Sequence, residues 1–145
     1  MAKGFPDYFG QSIWPKYGTM LTDDELVAGV APGATETILY VTGQGQLRNA
    51  SLFINGMGNP ASIYILITVD GVLVYANPLY TIMYYFGDTP SDVIAQCTLY
   101  DIVAGIYSIV INREIPFVSS FKVEILNNSI LALTDFAEIY YYHVV

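Results

Sequence analysis

Ser62-Ile-Tyr-Ile-Leu-Ile-Thr-Val69-Asp70-Gly71-Val72-Leu-Val-Tyr-Ala76 is the stretch on which the fold turns. Two runs of β-branched, aliphatic and aromatic residues flank an Asp-Gly pair. Asp and Gly tolerate the positive φ that both central positions of a tight hairpin turn require. The pair therefore predicts strand, turn, strand. In the first run Ile63, Ile65, Ile67 and Val69 share one face, and Tyr64 and Leu66 share the other. In the second, strict alternation sets Val72 and Val74 opposite Leu73 and Tyr75. Both faces of this hairpin are apolar, so both need cover.

Outward from the hairpin the same texture continues. Strands are expected over residues 35–41, 47–54, 79–85, 93–100, 105–112 and 119–126, with one long or two bent strands over 130–145. Gly43-Gln44-Gly45, residues 55–60, residues 86–92 and Asn127-Asn128-Ser129 punctuate them as turns. Phe121, Val123 and Ile125 alternate with Ser120, Lys122 and Glu124, one buried face against one wet face. At the chain end Leu131, Leu133 and Ile139 fall on one face, and Phe136, Tyr140 and Tyr142 on the other. Thr22-Asp23-Asp24-Glu25 is the sole acidic run and reads as a solvated turn. No stretch sustains a helical period. The expectation is an all-β protein, an antiparallel β-sandwich, jelly-roll-like, of about eight or nine strands. Residues 1–20 form an aromatic-rich N-terminal arm, and residues 21–145 a single sandwich domain.

Composition narrows the function. The chain has 145 residues, 54% apolar and only 12% charged, with 13 acids against 5 bases and a formal net charge of −8. Disorder needs low hydrophobicity and high charge, so it is excluded. Nucleic-acid binding needs clustered Lys and Arg, and this chain has neither the cluster nor the sign. An anionic membrane surface repels it likewise. The most apolar stretch, residues 63–86, is broken by Asp70, Gly71, Asn77 and Pro78, so no membrane-spanning helix is expected. Met1-Ala-Lys-Gly-Phe-Pro-Asp7 lacks the apolar core of a signal peptide, which points to cytoplasmic synthesis.

No catalytic signature emerges. His143 is the sole histidine, near the chain end, and Cys97 the sole cysteine, inside an expected strand. A His/Cys zinc site within one chain is thereby excluded, and Cys97 reads as a buried structural thiol. Asp23, Asp24, Glu25, Asp88 and Asp92 fall in expected loops, where solvated acids belong. No metal ligand set, cofactor or catalytic residue is assigned. Asn49-Ala-Ser51 and Asn127-Asn-Ser129 match the glycosylation acceptor pattern.

What the composition does indicate is association. A soluble chain this apolar cannot cover its own surface with charge, so much of that surface is expected to pack on other copies or other proteins. Thirteen tyrosines suit half-buried interfaces. The interface candidates are Phe5, Tyr8, Phe9, Trp14 and Tyr17 in the arm, with Tyr64, Leu66, Tyr140 and Tyr142 on the second faces of strands.

The run Gly4-Phe-Pro-Asp-Tyr-Phe-Gly-Gln-Ser-Ile-Trp-Pro-Lys-Tyr-Gly18 has a familiar look. So do Thr35-Glu-Thr-Ile-Leu-Tyr-Val-Thr-Gly43, Thr68-Val-Asp-Gly71 and Phe117-Val-Ser-Ser-Phe-Lys-Val-Glu-Ile-Leu-Asn-Asn-Ser129. Together they resemble small virion structural proteins of tailed bacteriophages, of the β-sandwich or jelly-roll kind. The resemblance implies a non-enzymatic role in capsid decoration, in the minor capsid or in tail and fibre parts. It implies a location in the virion, partners such as the major capsid protein, and a homo-oligomer, commonly a trimer. It transfers no catalytic residue and no cofactor. A competing expectation is a glycan- or receptor-binding module that uses the loops at residues 55–60 and 86–92.

Overall fold

The computed structural model describes residues 20–27, 29–56, 58–83, 94–111, 114–133 and 135–144. In chain order they form β1 (Met20–Val27), β2 (Thr35–Thr42), β3 (Gly45–Asn55), a 3-10 turn (Pro60–Ser62), β4 (Ile63–Val69), β5 (Val72–Pro78) and a single-turn helix α1 (Leu79–Met83). Then come β6 (Gln96–Asp101), β7 (Ile106–Ile111), β8 (Ile115–Phe117), β9 (Ser120–Asn127) and β10 (Asp135–Val144). The expected all-β antiparallel sandwich is what forms. One sheet has the order β1-β10-β3-β7-β6, with β8 also on β3; the other has the order β2-β9-β4-β5.

The pairings are nested. β1 pairs with β10, β2 with β9, β3 with β7 and β4 with β5, every one antiparallel. The chain behaves as one long folded ribbon whose innermost turn is Asp70-Gly71. That turn has φ of 52° at Asp70 and 80° at Gly71, the positive pair that the sequence demanded.

Alternation places the core. Ile63, Ile65 and Ile67 of β4 and Phe121, Val123 and Ile125 of β9 are all buried and point at the other sheet. Leu47, Leu52 and Ile54 of β3 and Tyr107, Ile109 and Ile111 of β7 meet them from the opposite layer. Each such aliphatic side chain contributes about 1.5–3 kcal/mol by leaving water. Strict alternation fails in β5. A register shift between Ile67 and Thr68 pairs Tyr75 with Ile67, while Val72 stays opposite Val69. Val72 and Tyr75 thus share the inner face, and Tyr75 packs against the core.

Three expectations need correction, and one strand was unforeseen. Residues 79–85 do not form a strand: Leu79–Met83 is a helical turn, and residues 84 and 85 lie outside the described part. Leu79, Ile82 and Met83 have i, i+3, i+4 spacing; the first two are buried and Met83 packs on the core. The β-rich composition hid that period. The acidic run at residues 22–25 is no turn; it lies in β1, paired with residues 138–141 of β10. Its pairing is long-range, so local reading misses it. The expected strand from residue 130 begins only at Asp135. Before it, Leu131 is exposed and Leu133 is buried in an isolated bridge to Val30, so the two do not share a face. Lastly, β8 was not foreseen. The three-residue segment pairs with Gly45–Leu47 of β3 and is too short to leave a pattern.

Candidate assembly surface

Among the described residues, the buried Cys97, Asn127 and Ser129, which could carry chemistry, have structural partners. Cys97 is buried, as expected, and its Sγ donates to the Leu99 carbonyl at 3.2 Å. Burial pushes its thiol above the ordinary value, so it stays neutral at pH 7 and is a poor nucleophile. Burial likewise raises Tyr107, helped by Cys97 and Asp101. Among the described residues, no three His, Cys, Asp or Glu side chains gather where a metal could bind. No helix of the described residues is long and apolar enough to cross a membrane.

The two glycosylation patterns are told apart by burial. Asn49 is exposed on β3, whereas Asn127 is fully buried. Its Nδ2 donates to the carbonyls of Val30 (3.0 Å) and Leu131 (2.9 Å). Its Oδ1 accepts from Ser129 N (3.1 Å) and Ser129 Oγ (2.6 Å). Every hydrogen-bonding site of that amide is taken, so it is a structural clamp and no acceptor for a sugar.

In the loop at residues 55–60, the described residues Gly56, Gly58 and Pro60 are packed and Asn59 is exposed. Asn59 Oδ1 caps Ala61 N at 3.0 Å, and Pro60 is buried. Gly56 and Gly58 lie against Leu133 and Ser129. The loop at residues 86–92 lies outside the described residues, as do Phe5, Tyr8, Phe9, Trp14 and Tyr17 of the expected arm.

Tyr64 and Leu66 are half-buried on the outer face of β4. Leu66 stands opposite Glu124 and Thr68 opposite Lys122. Lys122 and Glu124 form an ion pair at 3.1 Å across that face, so the apolar strip is short. Tyr140 and Tyr142 stand in register with Ala50 and Leu47, both buried residues of β3.

Among the described residues, many of the exposed large apolar side chains lie elsewhere, on β5, α1 and β6. Val72, Leu73 and Val74 of β5 are exposed, and so are Leu99 and Tyr100 of β6. Ile102 and Val103, in the turn after β6, continue the patch. Between them Tyr80, Met83, Tyr100 and Ile102 line a shallow cleft of about 250 Å³. Sequence reading missed this surface: charge-free runs also cover the buried strands, as residues 49–69 show, so the absence of charge over residues 71–83 does not mark them as exposed.

No protein-family model matches the chain, and no curated protein does. Solved structures show distant likeness, among them these two. A chain of the acidic stable capsid structure of Helicobacter pylori bacteriophage KHP30 is 10% identical, with 88% of this chain and 90% of that chain covered at a TM-score of 0.49. Dimeric latent PorU from Porphyromonas gingivalis is 14% identical, with 88% of this chain and 11% of that one covered at a TM-score of 0.30.

Proposed function

We propose that this chain is a non-enzymatic structural protein of a virus particle that works by packing against copies of itself and against other virion proteins. The observation that carries the reading is the exposed apolar surface along β5, α1 and β6 of a chain with little charge to spare. Strand order adds support. Nested pairing of β1 with β10, β2 with β9, β3 with β7 and β4 with β5 supports a jelly-roll reading of the sandwich, a fold of viral capsid and lectin domains. The viral setting itself comes from the sequence resemblance to phage virion proteins, which favours a decoration, minor capsid or fibre role and three-fold symmetry. In this reading Phe5, Tyr8, Phe9, Trp14 and Tyr17 anchor the chain to a neighbour, and Tyr64, Leu66, Tyr140 and Tyr142 add to its contacts.

The test is the native mass by light scattering at increasing protein concentration. A discrete oligomer is expected; a monomer throughout overturns self-packing. The cleft between Tyr80 and Tyr100 favours a second reading, a glycan-binding module, because sugars stack on aromatic faces and jelly rolls also serve as lectins. A glycan array that stays blank for the wild type removes it. A hit lost in Tyr100→Ala establishes it.

A further inference from the structure

We propose that the backbone of residues 118–120 is a carboxylate-binding nest, and that Asp70 fills it as a ligand tethered to the tip of the β4–β5 hairpin. The proposal stands apart from the assembly reading and does not fall with it.

The nest sits where the chain changes sheets. β8 ends at Phe117 in the six-stranded sheet, and β9 begins at Ser120 in the four-stranded one. A second crossing, at Gly43 and Gln44 between β2 and β3, lies beside it, because Gly43 N donates to the Ser119 carbonyl at 2.8 Å. Phe117 and Phe121, both buried, stack with ring centroids 5.8 Å apart and hold the backbone on either side. Backbone that leaves one ladder for another needs new partners for its N–H groups. Here three successive ones, of Val118, Ser119 and Ser120, point at a single oxygen, Asp70 Oδ1. The Ser119 hydroxyl is a fourth donor to it, and all four lie between 2.7 and 3.1 Å. Val118 N also reaches Asp70 Oδ2 at 3.1 Å.

The donor count names the ligand. A neutral carbonyl oxygen offers two lone pairs. Four donors on one oxygen call for negative charge, and consecutive backbone N–H groups form a concavity suited to an anion. Val118, Ser119 and Asp70 are all exposed, so a small anion can reach the nest from solvent. The ligand class is a planar carboxylate, the group seated there now. Tethering gives Asp70 an effective concentration that free carboxylates do not match, so the wild-type nest stays filled by its own side chain. The same contact latches the innermost hairpin to the crossing between the sheets.

The test removes the tethered group and supplies a free one. Asp70→Gly deletes the carboxylate and keeps a residue suited to the φ of 52° at this position. Asp70→Asn leaves a neutral acceptor in the nest. Melting temperatures of the wild type and both variants are measured in sodium acetate and in sodium chloride of equal ionic strength, and again with acetamide, the neutral analogue. Chloride accounts for screening of the net charge of −8. At about 0.5 M, acetate is expected to raise the Asp70→Gly melting temperature over its chloride value by about 2–4 °C more than it raises that of the other two proteins. Acetamide is expected to give no such gain. An Asp70→Gly gain no larger than that of the wild type or of Asp70→Asn overturns the nest, and so does an equal gain from acetamide. Amide hydrogen exchange of the wild type needs no variant to fold. The Val118 and Ser119 N–H groups belong to exposed residues and donate to the Asp70 carboxylate. They are expected to exchange about tenfold or more slowly than unprotected amides, and exchange at the unprotected rate overturns the proposal.

Discussion

Asp70 shows how much one side chain can carry. The turn itself was legible, because Asp-Gly between apolar runs has one common meaning. Its second role was not. The carboxylate Oδ1 accepts from Ser119 N (2.7 Å), Val118 N (2.9 Å), Ser120 N (3.1 Å) and Ser119 Oγ (3.1 Å), about fifty residues along the chain. The Asp70 N–H in turn donates to the Ser120 carbonyl at 2.9 Å. Nothing local in the sequence announces such a partner. The backbone N–H groups of Ser119 and Ser120, then Val118, and the Ser119 hydroxyl hold the Asp70 carboxyl below its ordinary value. A depressed folded pKa adds stability above the unfolded value, and that stability is lost as pH falls through the folded pKa. Asp70→Asn is therefore expected to be less stable than wild type at neutral pH, with the gap closing as the pH drops below about 4. Urea unfolding of both proteins across that range is the check; a gap independent of pH would contradict it. Asn127 teaches the same lesson. Read in sequence it was a turn residue that happened to match a short glycosylation pattern; folded, it is the most fully bonded buried side chain described.

At the scale of elements, what could be read depended on where the partner lay. β4, β5 and β9 were legible because hairpin and alternation are local patterns. β1 was not, because only pairing with β10 makes its acidic run a strand. α1 was not, because one helical turn shows a period only through Leu79, Ile82 and Met83. The loop after β3 explains another feature that sequence left bare, the need for glycine. A Cβ on Gly56 would lie 2.6 Å from Leu133 Cδ2 and 2.9 Å from Leu133 Cα, and the latter is backbone that must shift. Gly71 has open space around it, and its only constraint is φ +80°. Gly56→Ala is thus expected to cost about 2–3 kcal/mol. Gly71→Ala should cost about 1 kcal/mol, from the left-handed backbone alone. Chemical denaturation of the two variants ranks them, and the reverse order would mean that the contact of residue 56 with Leu133 is loose.

For the whole molecule the decisive quantity is the mismatch between charge and apolar surface. The composition indicated early that some surface must be covered, and Tyr64 and Leu66 were the visible candidates on β4. The larger exposure lies on β5 and β6, because sheet order decides which strands are edges, and order is not local information. The same mismatch fixes the response to salt. If copies associate through apolar surface while their net charges repel, screening should tighten association. From about 0.1 M to about 1 M salt the Debye length shrinks from about 10 Å to about 3 Å. Sedimentation at the two salt concentrations should show a larger associated fraction at the higher. A smaller one would mean that ion pairs hold the copies together.

The nested pairing also settles how the fold answers to force. Met20 stands opposite His143 in the β1–β10 register, so these two positions are neighbours across one outer pair of strands. A pull that separates them acts along the hydrogen bonds of that pair, which lie across the strands. The bonds are then loaded in succession, from Met20–His143 towards Val27–Phe136, and never together. Held at these positions, the sandwich opens as a zipper does, from its outermost pair inward.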